Sequence, residues 1–435
     1  MKITLLEVYS DKPQYINKDV MGGYGMTARI GRSLPAKIIE RAKKKSVNIP
    51  VFALGYLTAI LKNNGHNVSY KLNQLPLGAD LTIIPSSIVD YKHEIEFAEK
   101  IKKNTNSKVG FFGPFASVMP ELYLKHADFV ISGEPENGIK KIAEGLNPQG
   151  LIKSEAINDL DALPFPDWSE FPVKNYSYKP LLKQKPFIPI LSSRGCAFDC
   201  LYCPYKTYYG SLRERSVDSV VSELKYLKEK YGINSVQFRD PLFTANRKRA
   251  FQMSDKIILN KIKIEWGCET HVNCLDKELI DALYNSGMRS VNLGIESEDA
   301  EILKNASRFS AAKQKETEII RYLEKKGINV AAFYIFGFPD DNKKSVLKTI
   351  SYAKELNTLV AQFFVFTPFP GTNYYEKMKD KIFESDFEKF DAFTPVFHHK
   401  NLTSEDILKL KERAFVSYYF SPKYLFKHWK KLIDL

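Results

Sequence analysis

The chain is predicted to be an α/β protein: a doubly wound, Rossmann-like parallel sheet, then a partial (β/α)6 barrel of the TIM type, then a helical C-terminal cap. Three observations predict it. Apolar runs of strand length alternate with stretches of helical period along the 435 residues, the pattern of parallel sheets covered by helices. The proline-punctuated stretch Leu163-Pro164-Phe165-Pro166-Asp167-Trp168 can be neither helix nor central strand and separates two such series. Three of the five cysteines, Cys196, Cys200 and Cys203, directly follow the first strand of the second series. These boundaries divide the chain into 1–150, a linker at 151–186, a barrel at 187–375 and a cap at 376–435.

Composition narrows the class. An apolar content of 44% is that of a globular protein. No apolar run approaches the length that spans a bilayer, and the first residues enter a strand pattern without signal-peptide regions, so a cytoplasmic location is expected. Lys and Arg exceed Asp and Glu by 64 − 51 = 13. The excess is scattered and accompanies no nucleic-acid-binding motif, so no nucleic-acid partner is expected. The basic runs at 41–45 and 427–431 read as solvated helix faces.

In the first part, strands are expected at 3–8, 68–72, 79–85, 108–112 and 128–132, with helices at 54–63, 92–104 and 120–125. Ligands bind such sheets beyond the carboxyl ends of the strands. The turns there are Pro85-Ser86-Ser87-Ile88, Phe112-Gly113-Pro114 and Ser132-Gly133-Glu134. Residues 9–50 form an unusually long connection containing Met21-Gly22-Gly23-Tyr24-Gly25-Met26. Connections of that length are functional or disordered; this one could bend over a cofactor or substrate, or be a surface insertion.

In the second part, strands are expected at 187–192, 235–238, 262–266, 290–294, 329–336 and 360–366, with helices at 217–230, 247–260, 277–286, 311–326 and 343–356. Six β/α units place chemistry at the C-terminal mouth of the strands. Turns rich in polar and small residues follow there: Arg239-Asp240-Pro241, Cys268-Glu269-Thr270-His271, Gly294-Ile295-Glu296-Ser297, Gly337-Phe338-Pro339 and Thr367-Pro368-Phe369-Pro370-Gly371-Thr372. Cys268 and Cys274 are left unassigned, and His66, in a helix-to-strand turn, reads as structural.

The spacing Cys-x3-Cys-x2-Cys puts three thiolates on one short loop, ligation that suits an iron–sulfur cluster. Structural zinc is the nearest competitor, but it wants four protein ligands, and no second pair follows. Three cysteines around a four-iron cluster leave one iron without a protein ligand, where a substrate or cosubstrate could bind. Five cysteines in this length do not make a secreted disulfide scaffold.

The cysteine loop, with Tyr202 before its third cysteine, resembles that of the radical S-adenosylmethionine (SAM) superfamily, in the branch with an N-terminal cobalamin-binding domain. The resemblance covers nearly the whole chain and implies a 4Fe-4S cluster held by Cys196, Cys200 and Cys203. It further implies reductive cleavage of SAM to a 5′-deoxyadenosyl radical, and SAM contacts from Tyr202, Asp240, Glu269, Glu296, Ser297, Gly337 and Pro339. For the first domain it implies cobalamin beside Ser86, Ser87, Gly113 and Gly133. The Asp-x-His-x-x-Gly signature that supplies a cobalt ligand elsewhere is absent.

The function implied is cobalamin-dependent methyl transfer to an unactivated carbon of a small or lipid-like molecule, with an electron donor such as flavodoxin or ferredoxin. Alternatives are a radical SAM cyclase or oxidoreductase, and a cofactor-binding sensor or carrier without turnover. Methylthiotransferases carry further cysteines in their first domain, and residues 1–195 contain none. The C-terminal piece interleaves Tyr418, Tyr419, Phe420, Tyr424, Phe426 and Trp429 with Lys423, Lys427, Lys430 and Lys431. It could touch a membrane, guide a lipid-like substrate or cap the barrel.

Overall fold

A computed structural model describes residues 1–432. The first sheet contains β1 (Lys2–Glu7), β2 (Asn67–Leu72), β3 (Leu81–Pro85), β4 (Lys108–Phe112), β5 (Phe129–Gly133) and β6 (Gly150–Ser154), all parallel, in the order β2-β1-β3-β4-β5-β6. Its central strands are buried on both faces, so they read as continuous apolar runs rather than as alternation.

Within the connection 9–50 lies helix α1 (Leu34–Ser46), started by Ser33, whose side chain accepts from the Ala36 N–H, and by a proline in its first turn. Helix α2 (Ala53–Asn63) is buried at every position from Ala53 to Leu61. A Cβ on Gly55 would meet the Trp168 ring at 2.7 Å, so the glycine lets the linker's tryptophan lie against the helix. Helices α3 (Tyr91–Asn104) and α4 (Pro135–Ala143) complete the first layer.

The second sheet curls into a half-barrel of β7 (Phe187–Ile190), β8 (Ser235–Phe238), β9 (Glu265–Thr270), β10 (Met288–Glu296), β11 (Asn329–Phe336) and β12 (Val360–Val365), paired in sequence order and all parallel. Its helices are α5 (Val217–Tyr231), α6 (Arg247–Leu259), α7 (Lys277–Asn285), α8 (Lys313–Lys325) and α9 (Lys343–Leu356), followed by α10 (Ser404–Tyr419) and α11 (Pro422–Leu432). Helix α10 packs on β12, and Tyr418, Tyr419 and Tyr424 bond the backbone of Thr358, Ala361 and Leu359. That inner face of the C-terminal piece is therefore a cap on the barrel.

Several expectations shift. The sheet continues past residue 150, because β6 pairs with β5, and α4 was not anticipated. The third barrel strand runs over Glu265–Thr270 rather than 262–266, since Lys261 turns with φ 57° and residues 261–264 serve as the helix-to-strand loop. The short helix expected at 120–125 is found at Pro120–Leu124, and a second short helix not anticipated, Pro114–Val118, precedes it; a proline opens each.

Candidate active site

The cysteine loop is pinned at its neck, where Ser193–Arg194 pairs antiparallel with Arg213–Glu214. Gly195 turns there with φ 78°, and a Cβ on it would lie 2.0 Å from the Ser211 carbonyl oxygen, so only glycine makes the crossing. Cys203 immediately precedes the short helix Pro204–Tyr209, and its N–H donates to the Cys200 carbonyl at 3.1 Å.

The loop thereby presents all three thiols, Cys196, Cys200 and Cys203, to one cavity of about 580 Å³ at the barrel mouth. Among the described residues no three Cys, His, Asp or Glu side chains converge on a single ion. In a cluster each thiolate takes a different iron, and three cysteines on one loop fit that ligation. Burial pushes the Cys203 thiol up to about 12 and raises Cys196; cluster loading must therefore release protons.

The neck is clamped to the first domain. Arg194 donates from Nη1 to Glu134 Oε2 at 2.7 Å and from Nη2 to Glu136 Oε1 at 2.5 Å, with all three side chains buried. Arg213 bonds Glu134 as well. Glu134 and Glu136 stand at the start of α4, beyond the carboxyl end of β5, so the sheet edge of one domain fixes the residue two places before Cys196.

The rest of the cavity wall near the thiols is polar. Glu296, at the end of β10, has φ 64°, a left-handed conformation that costs energy for a non-glycine residue and marks a constrained site. Burial raises its pKa. Arg308 Nη2 lies 3.5 Å from its carboxylate and donates to the Gly294 carbonyl at 2.8 Å, and Arg308 Nη1 lies 3.8 Å from the Cys200 sulfur. A Cβ on Gly294 would sit 2.6 Å from both Arg308 Nη2 and Glu296 Oε1, so glycine leaves room for this pair. Tyr202 also lines the cavity, edge-on to Phe338 with ring centroids 5.5 Å apart. His271 accepts from the Asn273 N–H at 3.1 Å, and burial lowers its pKa to about 4, which leaves a neutral imidazole.

The connection 9–50 forms the opposite wall through Tyr15, Asn17, Asp19, Met21, Gly22 and Gly23. Arg239 pairs with Glu269 and donates to the Asp19 carbonyl at 2.7 Å. Desolvation raises the Asp19 carboxyl to about 7. Tyr205 Oη and Asn292 Oδ1 are buried without a hydrogen-bond partner, Asp19 Oδ2 and Arg239 Nε face each other at 3.7 Å as an ion pair without a hydrogen bond, and all four residues line the cavity. Buried polar atoms left unpaired call for a ligand. Gly22, at φ 66°, passes so close to the cysteine-loop helix that a Cβ would meet the Tyr205 backbone at 2.8 Å. Gly22→Ala is expected to lower unfolding free energy by about 1–3 kcal/mol in a denaturant titration.

Of the sequence-derived SAM contacts, Tyr202, Glu269 and Glu296 reach the cavity and Asp240, Ser297, Gly337 and Pro339 do not. Asp240 is fully buried behind the mouth, where its carboxylate accepts from the Ser192 N–H at 3.0 Å and from the Ser192 and Ser193 hydroxyls at 2.9 and 2.5 Å. It braces the strand end that leads into the cysteine loop. Ser297 accepts from the Asp299 N–H, and Asp341 accepts the N–H groups of Gly337 and Phe338, so these groups satisfy the fold itself.

The four turn residues assigned to cobalamin stand at the carboxyl ends of their strands, but none lines the cavity. The β1–β3 switch point is filled by the chain's own Lys18, which bonds the Val8 carbonyl and, at 2.5 Å, Glu94. Ser87 gives its hydroxyl to Glu94 at 2.7 Å, and Ser86 accepts from the Ala116 N–H at 3.1 Å. A Cβ on Gly113 would meet Ser86 Oγ at 2.9 Å, and one on Gly133 the Ser154 carbonyl at 2.1 Å, so local packing accounts for both glycines. Asp19 and Arg308 gave no signal in the sequence, and Arg239, although part of the turn Arg239-Asp240-Pro241, was assigned no role there.

An Arg-braced trio of thiols at the mouth of a six-stranded half-barrel, behind a doubly wound domain, defines a cluster-dependent enzyme fold. Residues 190–353 match the Radical SAM superfamily. An uncharacterized methyltransferase of Pyrococcus horikoshii is 30% identical over 371 residues, covering 80% of this chain and 79% of that protein. The bacteriochlorophyllide d C-12(1)-methyltransferase of Chlorobaculum tepidum is 27% identical over 339 residues, covering 76% and 73%. Among solved structures, the radical SAM methyltransferase TsrM of Kitasatospora setae, with cobalamin and a [4Fe-4S] cluster bound, superposes with a TM-score of 0.63 at 16% identity, covering 87% of this chain and 74% of that one. The chain belongs to the radical SAM superfamily. It is an enzyme whose cofactors include a 4Fe-4S cluster and SAM.

Proposed function

We propose that this enzyme methylates an unactivated carbon of a small or lipid-like molecule with the help of cobalamin. The carrying observation is that Cys196, Cys200 and Cys203 share one cavity with Glu296 and with two buried polar atoms, Tyr205 Oη and Asn292 Oδ1, that have no hydrogen-bond partner. The methyltransferase names of the relatives, and the cobalamin in the superposed structure, support the assignment.

When bound, the cluster supplies one electron to the sulfonium of SAM, and cobalamin supplies the methyl group. The protein does the rest by positioning. The three thiols would hold the cluster, and the Glu296 carboxylate would accept from the ribose hydroxyls of SAM. Arg308, between that carboxylate and the Cys200 sulfur, fixes both and offsets part of the charge the ligated thiolates carry. Asp19, Tyr205 and Arg239 suit the amide-rich rim of cobalamin better than the satisfied turns at Ser86, Ser87, Gly113 and Gly133 do. The neutral His271 and the surrounding aromatic rings keep the cavity poor in water. A flavodoxin or ferredoxin in a reducing compartment such as the cytoplasm is the expected electron source. Among the described residues no helix is long and apolar enough to cross a membrane.

The test is anaerobic reconstitution with iron and sulfide, with and without methylcobalamin, followed by mass spectrometry. Both 5′-deoxyadenosine and S-adenosylhomocysteine are expected; 5′-deoxyadenosine alone would favour cyclisation or oxidation, and neither product would end the reading. Arg308→Gln is expected to cost about 10–100-fold in the efficiency of 5′-deoxyadenosine formation, the usual loss when a group supporting metal ligands is removed. Steady-state assays across SAM concentration measure it.

A further inference from the structure

The cavity has a second end. Its wall takes Ala331, Phe333 and Ile335 from β11 and Val360, Gln362 and Phe364 from β12, alternate residues facing one side of a sheet. From Leu359 to Phe366 it extends roughly 23 Å at ~3.3 Å per residue. Lys43, whose amine desolvation lowers to about 7, bonds Gln362 at 2.7 Å across this stretch. The far end emerges between α1 and the α10–α11 junction, where Ile38, Phe420 and Leu425 line the cavity and are 49%, 43% and 44% exposed.

Around this mouth the surface is apolar and positive. Leu34 and Phe426 are 73% and 85% exposed. On α11, Pro422, Leu425, Phe426 and Trp429 recur at helical spacing on the outward side. Tyr424 and His428 turn inward and bond the Leu359 and Asn357 carbonyls at 2.9 Å. Exposed apolar surface on a face whose inner side is already packed calls for an occupant. Arg41, Lys45 and Lys430 stand exposed beside it, and none is in an ion pair among the described residues. Helix α11 contains no acidic residue, and the one acid of α1, Glu40, is buried. A second copy of the chain would bring like charge against like, whereas an anionic lipid surface complements both the stripe and its cations.

We propose that α1 and α11 dock on an anionic bilayer and that the cavity draws an extended apolar substrate from it through this mouth. The substrate half of the proposal rests on the cavity being the active site; the docking half does not.

Flotation of the full chain, without cofactors, tests docking. Vesicles containing phosphatidylglycerol are expected to carry the protein, vesicles of phosphatidylcholine alone to carry far less, and high salt to release it. The double variant F426E/W429E, whose residues lie outside the cavity wall, is expected to reduce binding by at least about tenfold, since each ring loses its burial. Failure to float with anionic vesicles, equal binding by the double variant, or a wild-type dimer that the variant splits would overturn the docking. For the substrate, cis-parinaric acid is expected to bind the wild type and to lose at least about tenfold in affinity on A42W, which narrows the mouth at an exposed position; unchanged binding, or none to either protein, would overturn entry by this route. Flotation without 5′-deoxyadenosine formation in the loaded enzyme would instead count against the function proposed above.

Discussion

Arg194→Met is expected to lower the unfolding free energy by about 3–5 kcal/mol, the range for breaking a buried ion pair on one side. Methionine fills much the same volume, so the loss comes from charge. Glu134 and Glu136 would remain buried with their main cation removed, and Arg213 reaches only Glu134. Because the side chain stands at the neck of the cysteine loop, the same change is expected to reduce the iron bound after reconstitution. Denaturant titration and iron analysis measure the two effects. Adding Glu134→Gln and Glu136→Gln to the single variant should recover part of the stability, because both stranded charges are then gone. A single variant within about 1 kcal/mol of the wild type would contradict the clamp.

The second large effect concerns the thiols. Cys200→Ala is expected to abolish 5′-deoxyadenosine formation and the visible absorption of the reconstituted protein, because the remaining Cys196 and Cys203 leave a second iron without a protein ligand. Its apoprotein should be close to wild type in stability, since Cys200 is only partly buried in a loop held by its neck. Cys274→Ala, away from the cavity wall, serves as the control and should load and cleave as the wild type does. Equal 5′-deoxyadenosine from Cys200→Ala and wild type would refute the assignment.

The order of strands was legible in the sequence because parallel strands buried on both faces leave unbroken apolar runs bounded by turn residues, as at 108–112 and 329–336. Strand β6 was not, since it is an edge strand with only Ile152 and Ser154 buried. The gathering of Cys196, Cys200 and Cys203 at one cavity was legible because a short loop brings its side chains together by local spacing alone. The place of Glu296 on the same cavity was legible from a carboxylate at a strand end beside glycine. Asp240 shares that strand-end position but turns back: a strand-end carboxylate can face the mouth or bind backbone, and only the positions of Ser192 and Ser193 decide which. Arg308 meets Cys200 from 108 residues away, and Asp19 meets Arg239 across 220. The first pairing comes from closure of the half-barrel and the second from packing the two domains together, and no local pattern encodes either. The glycines at 113 and 133 show the converse, turns shaped for close approach where what approaches is the chain itself.

Under the function proposed above, three thiolates hold a cluster whose remaining iron is open to SAM. Electron paramagnetic resonance of the reduced, reconstituted protein before and after adding SAM tests it most directly. A cluster signal that changes shape on SAM addition is the predicted result, and an identical signal with and without SAM, or no cluster signal at all, would contradict it.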